Sequence, residues 1–426
     1  MVIIMAEIKP FGALRFTEKA GSPAEYCCPP YDIISEAQRQ DYLKKCGNNI
    51  IRLELPGSDK DCYDRAGKTL DGWFKDGIVA VDQKPAVYVY SERFTVKGKE
   101  YSFKGFVCRV KLEEFSAGVV LPHEETLSKA KTDRFNLMCA TGCNFSQVYS
   151  LYRDPARETD ALLSKIVSGK PDVCFTDGEG VTHSLWAVTD EDVLSALCSQ
   201  FTSRKLYIAD GHHRYETALN YRRHLKETGG FCEAADYVMM FLADMSDDGL
   251  VVFPTHRIVH DLPAFNEDAL LEKIGKDFSV APCQKGEIEA LLAQKYQQGQ
   301  KAFGFVGKTG CFLLTLKDIT AADRRGPQKS EALRRLDVTV LHSLILEDVL
   351  KIDRENMANG VNLKYTRDFN EAANAVEKEG ANCSFILNPT RVTEISDVAA
   401  AGEKMPQKST YFYPKLITGL VMNKIL

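Results

Sequence analysis

The 426-residue sequence predicts a mixed α/β fold of the α+β kind, and two observations carry that prediction. Short apolar runs that read as buried strands interleave with longer segments of helical periodicity. In addition, a basic cluster, Asp210-Gly211-His212-His213-Arg214, lies between the apolar run 205–209 and the helical stretch 215–221. A carboxylate then stands at the end of a strand, a glycine makes the turn, and two histidines and an arginine open a helix.

The elements follow in chain order. Residues 63–76 have the apolar spacing of an amphipathic helix, and Gly77 ends it. Residues 85–90, 93–96 and 103–110 read as strands, the last two joined by a hairpin turn at Lys97-Gly98-Lys99-Glu100. Residues 237–243 and 250–253 read as a strand pair around Asp247-Asp248-Gly249. A long helical stretch is expected over 329–350, with Leu336, Val340, Ile345 and Leu350 among its apolar positions. Residues 384–387 form a short strand, and Asn388-Pro389-Thr390 caps a helix through Ala401. No internal repeat or low-complexity segment interrupts the pattern. The strand pair ends near Asp261-Leu262-Pro263, which marks a domain boundary.

Composition narrows the function. Hydrophobic residues make up 44% and charged residues 27%, as in ordinary globular proteins. Net charge is −5 and the pI about 6.0, against a non-specific nucleic-acid binder, which carries a basic domain. No apolar run approaches the length of a membrane span, so no membrane partner is expected. The opening Met1-Val2-Ile3-Ile4-Met5-Ala6-Glu7 is too short for a signal-peptide core and lacks a cleavage site. Thirteen cysteines, none in a C-x-x-C pair, read as reduced, mostly buried thiols of a cytoplasmic protein. Cys139 and Cys143 suit core packing better than a metal.

The 210–214 cluster suits a phosphate. The first N–H groups of a helix lack internal partners and the helix dipole favours an anion there. Arg214 has a guanidinium that grips phosphate oxygens in a fork, and Asp210 is placed to hold a Mg²⁺ that bridges them. An Asp cap and a turn glycine are common in any such junction; two histidines and an arginine in the same turn are not. A second constellation is Leu121-Pro122-His123-Glu124-Glu125-Thr126, whose carboxylate would take a proton from a substrate hydroxyl during phosphoryl transfer. Its plain alternative is a solvated acidic turn. The third lies within 403–415, where Lys408-Ser409-Thr410 would carry a ligand's carboxylate or phosphate. The alternative there is an extended segment that packs Tyr and Phe onto the core.

In this order the three constellations resemble the free L-serine kinases of the ParB/sulfiredoxin-like superfamily. Pro122-His123-Glu124, Asp210 to Arg214 and, approximately, Gln407-Lys408-Ser409-Thr410 carry the likeness. The chain as a whole is similar to the DUF1015 family, through Cys28-Pro29-Pro30-Tyr31-Asp32, Pro122-His123-Glu124, Asp210 to Tyr215, Pro254-Thr255-His256-Arg257 and Lys408-Ser409-Thr410. The kinase resemblance implies a nucleotide-binding core at 116–260 with an inserted subdomain at about 144–203. An N-terminal α/β region at 1–115 precedes it, and a C-terminal α/β domain at 261–426 carries the Lys408-Ser409-Thr410 segment. It implies Glu124 as catalytic base, beside His123 and Asp210. Gly211, His212, His213 and Arg214 would lie at the phosphates of ADP or ATP with Mg²⁺ on Asp210. Lys408, Ser409, Thr410 and Arg257 would lie at L-serine or a similar small hydroxylated amino acid. Tyr411-Phe412 and Tyr215 depart from the kinase pattern. Two other classes stay open: a ParB-like nucleotide-binding switch, and a metal-dependent phosphohydrolase with His123, His212 and His213 as ligands.

Overall fold

A computed structural model describes residues 5–124 and 128–426, without the side chains of 128–130. Glu125 and Thr126 of the acidic turn, and the first four residues, lie outside the described part. The chain divides into two compact units, one of residues 1–122, 126–251 and 414–426, the other of residues 123–125 and 252–413.

The first unit is built on a nine-stranded mixed sheet. Its strands are β1 (Ile8–Lys9), β2 (Val87–Val96), β3 (Lys99–Lys111), β4 (Val120–Leu121), β5 (Val148–Tyr152), β6 (Val173–Thr176), β7 (Thr182–Val188), β8 (Leu206–Asp210) and β9 (Tyr237–Asp244). They run in the order β4-β8-β5-β9-β3-β2-β7-β6, with β1 paired to β3. Only β4 with β8 and β5 with β9 are parallel. β9 is buried along its whole length, which is why its sequence is a near-continuous apolar run. Helix α1 (Cys62–Asp76) buries Cys62, Ala66, Leu70 and Trp73, one helical stripe, and ends at Gly77 in the left-handed region at φ 66°. Among the described residues no helix is long and apolar enough to cross a membrane.

The second unit holds a six-stranded sheet in which every neighbouring pair is antiparallel. It comprises β10 (His256–Val259), β11 (Phe278–Cys283), β12 (Ala302–Val306), β13 (Cys311–Leu316), β14 (Leu363–Thr366) and β15 (Cys383–Ile386), in the order β11-β13-β12-β15-β10-β14. Ile258, Ile288, Leu292, Val306, Ala372, Val376 and Ile386 form its core.

Several sequence readings change. The runs read at 85–90 and 93–96 belong to one strand, Val87–Val96, and its hairpin with β3 closes at Lys97 and Gly98, both at positive φ. The expected strand pair around Asp247 does not form: β9 is taken up by β3 and β5, and only Val251–Val252 of the second run is extended in a strand. The helix expected over 329–350 is broken. Glu331–Arg334 and Asp337–Leu341 are separate helices, because Leu336 between them is extended (ψ 139°), and His342–Glu347 continues as a π-helix. Helix Val392–Ala400 starts from Arg391, not from Thr390, and the Glu394 side chain accepts the Arg391 N–H. Of the two cysteines read as core, Cys143 is buried and Cys139 is exposed.

The first sheet buries an acidic network. Tyr90 and Glu92 share one face of β2, and Glu92 lies opposite His183 of β7. The Tyr90 hydroxyl stands 2.9 Å from Glu92 Oε1 and 2.6 Å from His183 Nδ1, while His183 Nε2 lies 3.1 Å from Asp177 Oδ2. Burial pushes the Glu92 carboxyl up to about 7, against the pull of His183. The folded chain therefore holds this proton more tightly than the unfolded chain does. That stabilisation is complete below the ordinary carboxylate range and is lost as pH rises through about 7. Glu92→Gln is expected to gain on the wild type between pH 5 and pH 8 by on the order of 2 kcal/mol, read from urea melts at both pH values. A pH-independent difference would mean that Glu92 does not titrate in this range.

Candidate functional site

Two groups of side chains, one in each unit, gather the residues that the sequence singles out. In the first unit, β8 delivers Asp210 at its carboxyl end, Gly211 forms the turn, and helix α2 (His212–Thr228) begins with the next residue. Gly211 sits at φ 85°, and a Cβ there would come within 2.9 Å of Arg214 Nε. The turn thus requires glycine both for its backbone and for the space that Arg214 fills. Gly211 is the helix cap, so the plain alternative of an Asp210 cap does not apply.

Asp210 lies between two cations: Arg214 Nη2 is 3.0 Å from Oδ2 and Lys415 Nζ is 3.2 Å from Oδ1. Lys415 and Arg214 overcome burial and hold the carboxyl well below the usual range, so it is ionised. The other end of Arg214 bonds the Gln147 carbonyl. The guanidinium is therefore occupied with pinning the strand-turn-helix junction to the chain beside β5, where the sequence suggested a fork open to phosphate. Burial lowers His213, so it is neutral at pH 7 and contributes N–H and nitrogen chemistry but not charge. His212 is buried at the helix start.

The sequence reading missed what surrounds this junction. The Arg134 guanidinium lies 4.0 Å from the Tyr31 ring centre and bonds the Glu54 carbonyl at 2.7 Å. Glu54 is buried, accepts the Ser146 hydroxyl and faces Arg134 Nη1 at 3.7 Å, and burial raises its carboxyl against that pull. Asp32 adds its negative field at Arg214 and His213. Cys28 to Asp32 was visible as a landmark without a role, and Lys415 as the last residue of the third constellation; no local signal ties either to Asp210.

In the second unit the acidic turn and the C-terminal segment meet. Glu124 Oε1 accepts the Lys408 N–H at 2.8 Å, and His123 Nε2 lies 3.0 Å from Thr410 Oγ1. The Met405 N–H bonds the His123 carbonyl at 2.6 Å, so the two strands of chain run side by side. Lys408 is exposed at φ 58°, a left-handed conformation that its flanking bonds enforce. Arg257, fully buried, donates to the Lys408 carbonyl at 3.2 Å and to the Thr255 carbonyl. Ser409 spends its hydroxyl on the Pro406 carbonyl, and the Thr390 hydroxyl holds the Ser409 carbonyl at 2.8 Å. Lys408 and Thr410 are thus the members of the segment whose side chains lie nearer the surface. Arg257 and Ser409 shape the loop.

For a metal, the donor set is spare. Among the described residues no group of three or more His, Cys, Asp or Glu stands together. Mg²⁺ is commonly held by one or two carboxylates, with waters and phosphates completing the shell. The ionised Asp210 meets that demand, with Lys415 as its competitor at Oδ1.

Gly211→Ala is expected to lower stability by about 1–2 kcal/mol, from the left-handed backbone and the displaced Arg214 side chain. Denaturant melts measure it; a neutral substitution would mean that the turn relaxes freely.

No curated protein matches the sequence. Among solved structures, a free serine kinase in complex with AMP is 15% identical, with 72% of this chain and 87% of that one covered and a TM-score of 0.37. A conserved hypothetical protein from Pyrococcus furiosus is 15% identical, with 72% and 92% covered and a TM-score of 0.35. SbnI from Staphylococcus aureus, truncated at its C-terminus, is 9% identical, with 74% and 86% covered and a TM-score of 0.33. The profile of a family described as a protein of unknown function, DUF1015, matches residues 8–339, well over half of the sequence. The chain belongs to the DUF1015 family.

Proposed function

We propose that the protein is a small-molecule kinase, which moves a phosphoryl group from ADP or ATP to the hydroxyl of free L-serine or a similar small hydroxylated amino acid. One observation carries the reading. His123 and Glu124 bond the loop 408–410, from which they are separated by 284 to 287 residues of sequence. The carboxylate suited to take a proton and the segment suited to hold an amino acid thus form one group within the second unit.

Phosphoryl transfer asks the protein for positioning and charge more than for covalent chemistry. In this reading Glu124 orients the acceptor hydroxyl and takes its proton, and His123 holds the loop through Thr410. Lys408 supplies the cation for the acceptor's carboxylate. In the first unit, Lys415 and the start of helix α2 face the phosphates, and Arg214 keeps Asp210 in place. Mg²⁺, when bound with the nucleotide, neutralises phosphate charge, and Asp210 is the residue that would hold it.

The test is direct. Purified protein with Mg²⁺ and ADP, ATP or CTP is incubated with serine, threonine and homoserine, and phosphoamino acids are detected by mass spectrometry. No product with any pair would end the kinase reading. Glu124→Gln is expected to lower turnover by about 10²–10⁴-fold. It leaves nucleotide affinity unchanged, because Gln keeps an oxygen for the Lys408 N–H. Lys408→Ala is expected to raise the KM for the amino acid roughly tenfold or more, with the nucleotide KM little changed. A defect confined to the nucleotide would move Lys408 to the phosphates.

A further inference from the structure

Thirteen free thiols are spread through the chain, and the second unit sets two of them side by side. Cys283 closes β11 and Cys311 opens β13, and the antiparallel register places them directly opposite one another. Both are half-buried and pack against the core cluster of Ile258, Ile288 and Leu292, so they share one face of the sheet. Cys108, Cys174 and Cys383 also lie on strands, but opposite Met240, Ser184 and Val259.

The register decides whether two thiols can join. Antiparallel pairing brings opposed Cα atoms to about 4.5 or 5.5 Å, inside the span of about 4.4–6.8 Å that a disulfide bridges. Opposed Cβ atoms lie about 4.5–5.5 Å apart, at or just beyond the upper end of the disulfide range, so the two strands draw together slightly when the bond forms. A bond made under that tension is easily reduced again, which suits a reversible link.

Charge around the pair sets which thiol reacts first. Burial raises both thiols above the ordinary range, and at Cys283 the neighbouring Cys311 and Glu287 add to the rise. At Cys311 Lys285 pulls the other way, against Glu377. Cys311 is therefore the better nucleophile of the two.

We propose that Cys283 and Cys311 are a modification site, a dithiol that a peroxide converts reversibly into a disulfide. The Cys311 sulfur attacks one peroxide oxygen and the O–O bond breaks. The leaving oxygen takes up the thiol's proton and departs as water, and Cys311 is left as a sulfenic acid. The Cys283 sulfur then displaces the sulfenic hydroxyl, which departs with the second thiol's proton as another water, and the S–S bond forms. Two thiols are oxidised and one peroxide is reduced to two waters, with no other reactant. The raised thiols make the first step slow, while the second joins neighbours already held in place. The pair therefore answers sustained exposure to oxidant. Once formed, the bond ties β11, the edge strand of the sheet, to β13 and closes residues 284–310 into a loop, which limits the freedom of the unfolded chain. The proposal does not depend on kinase activity.

The full chain, first reduced, is exposed to rising hydrogen peroxide until the exposed Cys139 of the first unit is oxidised. Remaining thiols are blocked with iodoacetamide, and the digest is read by mass spectrometry without reductant. A peptide that joins Cys283 to Cys311 within one chain is expected, and dithiothreitol is expected to return both thiols. The linked chain is expected to melt at a higher temperature than the reduced one. Cys283→Ser and Cys311→Ser each remove the linked peptide and the gain in Tm, whereas Cys139→Ser changes neither. Cys283 and Cys311 recovered as separate peptides at that dose would overturn the site. So would a link of either to another cysteine, or a link found only between two chains. A linked chain that melts no higher would overturn the role of the bond as a tie on the edge strand.

Discussion

One buried guanidinium organises the second unit. Arg257 lies on β10 with no exposed surface to speak of, over the Tyr365 ring at 5.4 Å, and its nitrogens go to the carbonyls of Thr255 and Lys408. Burial lowers it to about 10, and it still carries a charge at neutral pH. Among the described residues no carboxylate forms an ion pair with that charge; carbonyl dipoles, the aromatic face and the field of Glu124 compensate it. The Lys408 loop is held on both sides of one residue, the Lys408 N–H by Glu124 and the Lys408 carbonyl by Arg257. A non-glycine residue stays at positive φ there because both bonds depend on that conformation. His342 feels the same charge. The Lys408 loop and His342 are therefore both conditioned by an arginine that is built as an internal support.

The first unit solves the opposite problem, a buried anion. Asp210 is enclosed yet ionised because Arg214 and Lys415 flank it. Breaking one member of such a set leaves a charge stranded in a low dielectric, which costs several kcal/mol. The junction of β8 and helix α2 is for that reason stiff before any ligand arrives. Stiffness of that kind suits phosphoryl chemistry, in which small displacements of the reacting groups are expensive.

Much of the fold was legible in the sequence. The helix that ends at Gly77, the turn at Lys97-Gly98, the strand before Asp210 and the strand at 383–386 all follow from local patterning, and all are present. The readings that failed share a cause. The run 237–243 looked like half of a local hairpin, but its wholly apolar surface is satisfied by β3 and β5, more than eighty residues away in sequence. The stretch 329–350 has helical periodicity, yet tertiary packing breaks it at Leu336 and widens it after Leu341. Local propensity is a weak prior wherever distant elements compete for the same backbone.

The candidate residues divide in the same way. The sequence alone determined which residue types stand at the strand-turn-helix junction, at the acidic turn and in the Lys-Ser-Thr segment. Their chemistry and the need for glycine at 211 follow from spacing and from the geometry of a helix start. Tertiary structure decided how each is used. It turned Arg214 inward onto Asp210 and the Gln147 carbonyl, buried Arg257 as the support of Lys408, and assigned the Ser409 hydroxyl to its own turn. It also brought Lys415 to Asp210, and Glu124 to the Lys408 N–H. These assignments are set by which groups share a buried volume, where every donor, acceptor and charge must find a partner. Spacing along the chain holds no record of that when the partners are about 200 or 280 residues apart.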